Sequence, residues 1–307
     1  MKEAFFTATQ NALKNITSTF DVTWPIVVSL WSMRCQVNGV LSQCPNVTEQ
    51  QLAARFCILG AEKRGVDFMK SFSSKSWMEQ QGDFAWILLN AIFPIYEGWL
   101  EELRDDVFPS MNMKNMQYPT DINSEISRLT ALASPLLTAG FYPEYSQLRD
   151  RCYSKIENLL KCFRYFKEMR NCYMHNNRIA NSKLVNAYND YIAIATTNNL
   201  DASEAPEALI PTIGHLIPIS LRGVVGFSYN VIKIIVSCDA ELLKSKEAER
   251  EFDRKFSSRH GIIRTLTSSL PEANRQVAAY IRQCGLPAPP NLDDFRSYLL
   301  EKRLLSR

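Results

Sequence analysis

The chain has 307 residues, enough for one large domain or two smaller ones. At 46% hydrophobic and 22% charged it excludes a disordered chain, and a net charge of +3 is too mild to imply a polyanion partner from composition alone. Eleven glycines are few for a Rossmann-like or all-β protein, and with so mild a charge any nucleic-acid argument must rest on a local site.

The opening stretch MKEAFFTATQNALKNITSTF carries polar residues every few positions and no apolar run, which predicts no secretory signal. The sequons at Asn15 and Asn46 then have no chemical consequence. Residues 48–64 predict a helix capped by Thr48, with Leu52, Phe56 and Leu59 on its apolar side. Asp83 is a candidate cap for the next helix, expected to run to about Val107 with a kink at Pro94. The most apolar run, 84–100, is interrupted by Asn90, Pro94 and Glu97. It falls short of the roughly 20 residues a membrane span needs, so no membrane partner is expected.

Residues 108–121 read as a loop, and a short helix around 122–137 ends near Pro135. From Glu144 to about Met174 the pattern predicts the longest uninterrupted helix. Its stripe is Leu148, Cys152, Ile156, Leu159, Phe163 and Phe166. Another helix is expected from Asn181 or Ser182, then a connection over 196–218 with three prolines, then one long helix over 219–252. Two short helices separated by GLPAPPN complete the chain. Helical periodicity dominates throughout, so the predicted class is all-α.

Eight cysteines are present and none forms C-x-x-C, so no zinc or redox motif and no metal site is expected. Cys152, Cys162 and Cys172 lie ten residues apart, about 80° from one to the next around a helix, and do not converge. Scattered thiols suit a reducing cytoplasm. Of the three histidines, His215 reads as a packed or loop residue and His260 as an exposed helix-start residue. Trp86 and Trp99 fall at helical spacing and read as core.

The third histidine stands in FKEMRNCYMHNN, residues 166–177. Arg170 follows Phe166 by four residues, on the face that packing would fill with an apolar side chain. Such an arginine must snorkel, pair with an acid or face a polar cleft. Asn171 and His175 are four apart and about 40° around the axis, so the amide can orient the imidazole. Arg170 and His175 are about 140° apart on an ideal helix and meet only through a loosened last turn, a long reach or a second copy. The chemistry open to this trio is metal-independent RNA cleavage. His175 would act as general acid or base, and Arg170 would stabilise the phosphate. A helix-end histidine with no catalytic role is the alternative. Lys161, Arg164, Lys167 and Arg178 could guide an RNA backbone or form a solvated face, and Glu97 could pair with Arg170. A Cys172–His175 nucleophile pair lacks an oxyanion loop and a third orienting group.

The R-N-x-x-x-H spacing at the end of a long helix resembles the R-x4-6-H signature of the HEPN superfamily. PIYEGWLEELRDDVF (94–108) resembles the aromatic–Glu–Gly–aromatic first helix of one bacterial branch, carried here by Tyr96, Glu97, Gly98 and Trp99. The stretch from His175 to Tyr191 and the helix near 221–249 resemble that family's later elements. The resemblance spans about residues 83–250. It implies a HEPN-like bundle over 81–252, and the chain departs from the family in helical extensions at 1–80 and 253–307. It further implies a cytoplasmic homodimer with a composite RNase site and no cofactor. Arg170 and His175 would be catalytic with Asn171 beside them, Arg178, Lys167, Arg164 and Asn176 would bind RNA, and Glu97 would support. A toxin or anti-phage role, with an antitoxin or other regulatory protein partner, comes from the resemblance alone. The alternatives are a HEPN-fold module that binds without cutting, and a DNA-binding regulator, for which no helix-turn-helix is evident.

Overall fold

The computed structural model describes residues 4–56, 67–117, 121–261 and 264–306. It is all-α apart from a parallel pair of two-residue strands near the C-terminus. The first helix, α1 (Thr7–Gln43), covers a stretch whose hydroxyls and proline disguise a helix. Thr17, Thr19 and Thr23 donate to the carbonyls of Leu13, Asn15 and Thr19 one turn back, so these polar side chains are satisfied inside the helix. α2 (Glu49–Phe56) begins after Thr48, whose amide and hydroxyl exchange hydrogen bonds with Gln51. The rest of that predicted helix, with Leu59, lies outside the described residues.

α3 (Trp77–Asp106) runs antiparallel to α1. Trp99 Nε1 donates to Thr9 Oγ1 at 3.0 Å, and Arg34 reaches Gln80 at the other end at 3.2 Å. Its cap is Ser76, which forms a reciprocal capping box with Glu79. Asp83, the expected cap, lies inside the helix and pairs with Lys75. Pro94 stands within α3. Among the described residues between 108 and 145 come four short helices: α4 (Met113–Gln117), α5 (Ile122–Leu129), α6 (Pro135–Gly140) and α7 (Tyr142–Tyr145).

The expected helix from Glu144 does not form as one piece. Residues 146–152 turn, with Asp150 in the left-handed region, and α8 (Ile156–His175) starts only after a short 3-10 turn. Long-range bonds explain the break. Tyr229 donates to the Asp150 carboxylate, and the Cys152 amide donates to Ser237 Oγ at 2.9 Å, holding the chain against another helix. α9 (Ser182–Ile192) starts where expected, capped by Asn181, and α10 (Thr197–Leu200) follows.

The predicted helix over 219–252 is also two: α11 (Leu221–Leu242) and α12 (Lys246–His260). Ser245 caps α12, and residues 244–246 exchange backbone bonds with Leu132 and Ser134, which ends α11. α13 (Leu270–Gln283) and α14 (Leu292–Glu301) close the chain. His260 is buried at the end of α12, its Nε2 3.0 Å from the Tyr280 carbonyl, because α13 packs over it; it is not an exposed helix-start residue. His215 is an exposed loop residue.

The core is aromatic where α3, α8 and α11 meet. Phe93 lies 5.3 Å from Phe163 and 5.2 Å from Phe227, while Phe166 stacks on Phe227 at 4.6 Å. Trp86 and Trp99 are buried in the same core. Phe5 and Phe6 near the N-terminus, and Phe256, Val277 and Phe295 near the other end, join it. The far half of α1 packs over a smaller cluster of Val37, Leu52, Phe68 and Phe72. Among the described residues α11 alone is long and apolar enough to cross a membrane. It is mostly buried and carries Lys233 and Asp239, both buried among the helices.

Candidate active site

α8 carries the motif, and its last turn sets where each side chain points. The amides of Asn176 and Arg178 both donate to the Cys172 carbonyl, closing the helix. Asn177 and Arg178 take left-handed backbone conformations, with φ of 49° and 64°. Asparagine tolerates that region; arginine does not, and such a residue costs on the order of 1 kcal/mol or more unless its surroundings hold it. They do. The Arg178 carbonyl accepts from the Ile217 amide at 2.9 Å, and its guanidinium lies 4.7 Å over the Tyr173 ring and donates to the Tyr173 hydroxyl. Tyr173 in turn stacks on Trp86 of α3 at 4.4 Å.

The turn directs α9 back beside α8, and an open groove of about 680 Å³ lies between them. Arg164, Glu168, Asn171 and His175 line it from α8, at spacings of four, three and four that put them on one helical face. Asn176 lines it from the turn, and Asn181 and Lys183 from the cap and first turn of α9. His175 is exposed at the helix end. Asn171 and His175 share the groove, and among the described residues no hydrogen bond joins them.

Arg170 points elsewhere. Its guanidinium sits 5.6 Å from the Phe93 ring centroid, and its Nε is buried without a hydrogen-bond partner. No ion pair with Glu97 forms among the described residues; Glu97 instead acts electrostatically on Lys167, whose ammonium lies 5.9 Å over Phe163. Burial pulls the Lys167 pKa below its usual value, with Glu97 opposing and Arg170 adding to the shift. Cys172 is buried, and burial pushes its thiol up, so no reactive thiolate faces His175.

Of the candidate residues, then, Arg164, Asn171, His175 and Asn176 share one groove. Arg170, Lys167 and Glu97 gather on the α3 side, and Arg178 covers Tyr173. Sequence reasoning missed Glu168, Asn181 and Lys183. Glu168 had a readable signal, since it precedes His175 by seven residues, two helical turns on the same face. Among the described residues no cluster of histidine, cysteine and carboxylate side chains is arranged to hold a metal ion. Comparison with family models, with curated proteins and with solved structures finds no match for this chain.

Proposed function

We propose that this all-α protein is a metal-independent endoribonuclease of the HEPN type, acting as a cytoplasmic homodimer in a toxin or anti-phage role. The observation that carries the reading is the divergence of the motif. His175 opens into a groove flanked by Arg164 and Lys183, while Arg170 leaves α8 on another side with donor capacity unused. A second copy of the chain would bring an Arg170 to a His175, and RNA would lie across the two. His175 would move a proton at the ribose 2′-oxygen or the 5′-oxygen. The 2′-oxygen bonds to phosphorus, the P–O5′ bond breaks, and the products are a 2′,3′-cyclic phosphate and a 5′-hydroxyl. Arg170 would stabilise the extra charge on the phosphate in the transition state.

Purified protein incubated with total RNA in EDTA tests the reading. Cyclic-phosphate ends that vanish in both Arg170→Ala and His175→Ala support it; variants that cut as well as wild type remove the site assignment. A specific feature favours a second reading, a fold that binds a partner protein without cutting. Val22 and Ile26 expose apolar surface on one side of α1, and Trp24, Val28 and Trp31 on the opposite side. Co-purification of a partner by α1, with no RNA cleaved, would favour that reading.

A further inference from the structure

One histidine does not readily serve as both base and acid in a single displacement. The groove holds a second group able to do half of that work. Glu168 lies on the face of α8 that carries Asn171 and His175, seven residues before the histidine, and lines the same groove. Arg170, the other motif residue, is turned away over Phe93. Among its charged neighbours in the groove are Arg164 and His175 on its own helix and Lys183 on α9. Glu168 forms no ion pair among the described residues, so its carboxylate is not committed to a structural partner.

We infer that Glu168 is the second acid–base group of the site and that it works with the His175 of its own chain; this rests on the ribonuclease reading above. The Glu168 carboxylate takes the proton from the ribose 2′-OH as the O2′–P bond forms. The His175 imidazolium gives a proton to the 5′-oxygen as the P–O5′ bond breaks. Arg164 and Lys183 flank the phosphate, and Asn171, between the two groups on the helix face, is placed to hydrogen-bond the imidazole or the ribose. Exchange with water then resets the site, the Glu168 carboxyl losing its proton and the His175 imidazole regaining one. The substrate class is single-stranded RNA, because the mechanism requires a free 2′-hydroxyl able to line up with the leaving oxygen, which an A-form duplex does not allow.

The test uses the full chain and a fluorescent single-stranded RNA in EDTA, with rates measured across pH. Glu168→Gln keeps the size of the side chain and removes the base. It should slow cleavage about a hundredfold or more and abolish the acidic limb of the pH profile, with RNA affinity unchanged or tighter. Glu168→Asp should recover part of the rate, and thermal melts establish that both variants are folded. Mixing Glu168→Gln with His175→Ala subunits should restore no activity, since neither chain then holds both groups. Glu168→Gln cutting at the wild-type rate or faster, with His175→Ala dead, would overturn the role of Glu168 and leave the ribonuclease reading intact. Recovered activity in the mixed dimer would overturn the single-chain pairing. A wild-type protein that cuts no RNA would overturn both.

Discussion

Arg170 holds its guanidinium 5.6 Å from the centre of the Phe93 ring, with its Nε buried and unpartnered, while His175 five residues later opens into a groove on another side of α8. The sequence stripe asked for an apolar side chain at this position, and the helix answers with an arginine whose stem packs and whose head stays over an aromatic face. That geometry separates two roles. Arg170→Met keeps the packed stem and removes the charge. It should lower stability by no more than about 1 kcal/mol, the scale of a partly exposed cation–π contact. It should reduce cleavage by on the order of a hundredfold or more, as loss of a transition-state donor does. Thermal melts and single-turnover rates on the same preparation separate the two effects. A variant that melts several degrees lower and cuts normally would make Arg170 a packing residue.

Salt dependence distinguishes the cations. Arg164 and Lys183 line the groove beside His175, whereas Arg178 is spent on the Tyr173 ring and hydroxyl. Each phosphate neutralised on a single strand contributes roughly 0.7 to the slope of log K against log salt. Arg164→Ala combined with Lys183→Ala should therefore flatten that slope by roughly 1.4. Arg178→Ala should leave it unchanged and instead loosen the turn that sets α9 beside α8. Binding of a labelled single-stranded RNA at several salt concentrations reads both outcomes. An Arg178→Ala slope as shallow as the double variant's would move the RNA path off the groove.

Periodicity captured the helical class, the start of α9 at its Asn181 cap and the helical pair at the C-terminus. It missed breaks that are made by contacts distant in sequence. Nothing local in SQLRDRC predicts that Ser237 and Tyr229 will tie the chain into a turn before α8, and nothing local to α11 predicts that Leu132 and Ser134 will end it at Leu242. The extension over 1–80 is expected to be helical, but the length of α1 is not legible, because Thr17, Thr19 and Thr23 are poor helix formers until their hydroxyls bond back along the helix and Pro25 stands within it. At the site, angles around one helix correctly separate Arg170 from His175. The α9 wall was illegible, because Asn181 and Lys183 reach the groove only through left-handed residues at Asn177 and Arg178.

A buried carboxylate ties the N-terminus to the bundle. Asp239 of α11 accepts the amides of Phe5 and Phe6 at 3.1 and 3.2 Å and the hydroxyl of Tyr145. Burial, then Asp239, drives the Tyr145 phenol far above its usual range, so it stays a donor at any working pH. Asp239→Ala leaves those donors without an acceptor and should cost roughly 2–4 kcal/mol. Hydrogen exchange at Phe5 and Phe6 should accelerate by more than the global loss of stability accounts for. Uniform acceleration across the chain would mean that the N-terminus is held by packing alone.

Acid stability has a traceable source in Glu125. Burial alone would raise its pKa, but the Arg128 guanidinium at 2.6 Å, the Asn112 amide at 2.7 Å and the charge of Arg128 overcome that and lower it. A carboxylate whose folded-state pKa is depressed contributes stability that is fully present above its ordinary value. That contribution is lost as pH falls through the folded value. The window therefore opens at the ordinary glutamate value of 4.5 and extends below it. Glu249, lowered against burial by Lys246, Ser134 and Tyr298, adds to the same limb. Glu125→Gln should melt below wild type at neutral pH, and the gap should narrow as pH falls below 4.5, because the wild-type carboxylate is then being protonated while the amide is not. Melting temperatures across that range for both proteins measure the gap. A gap that stays constant down to the most acidic condition would show that Glu125 acts through its hydrogen-bond geometry and not through its charge.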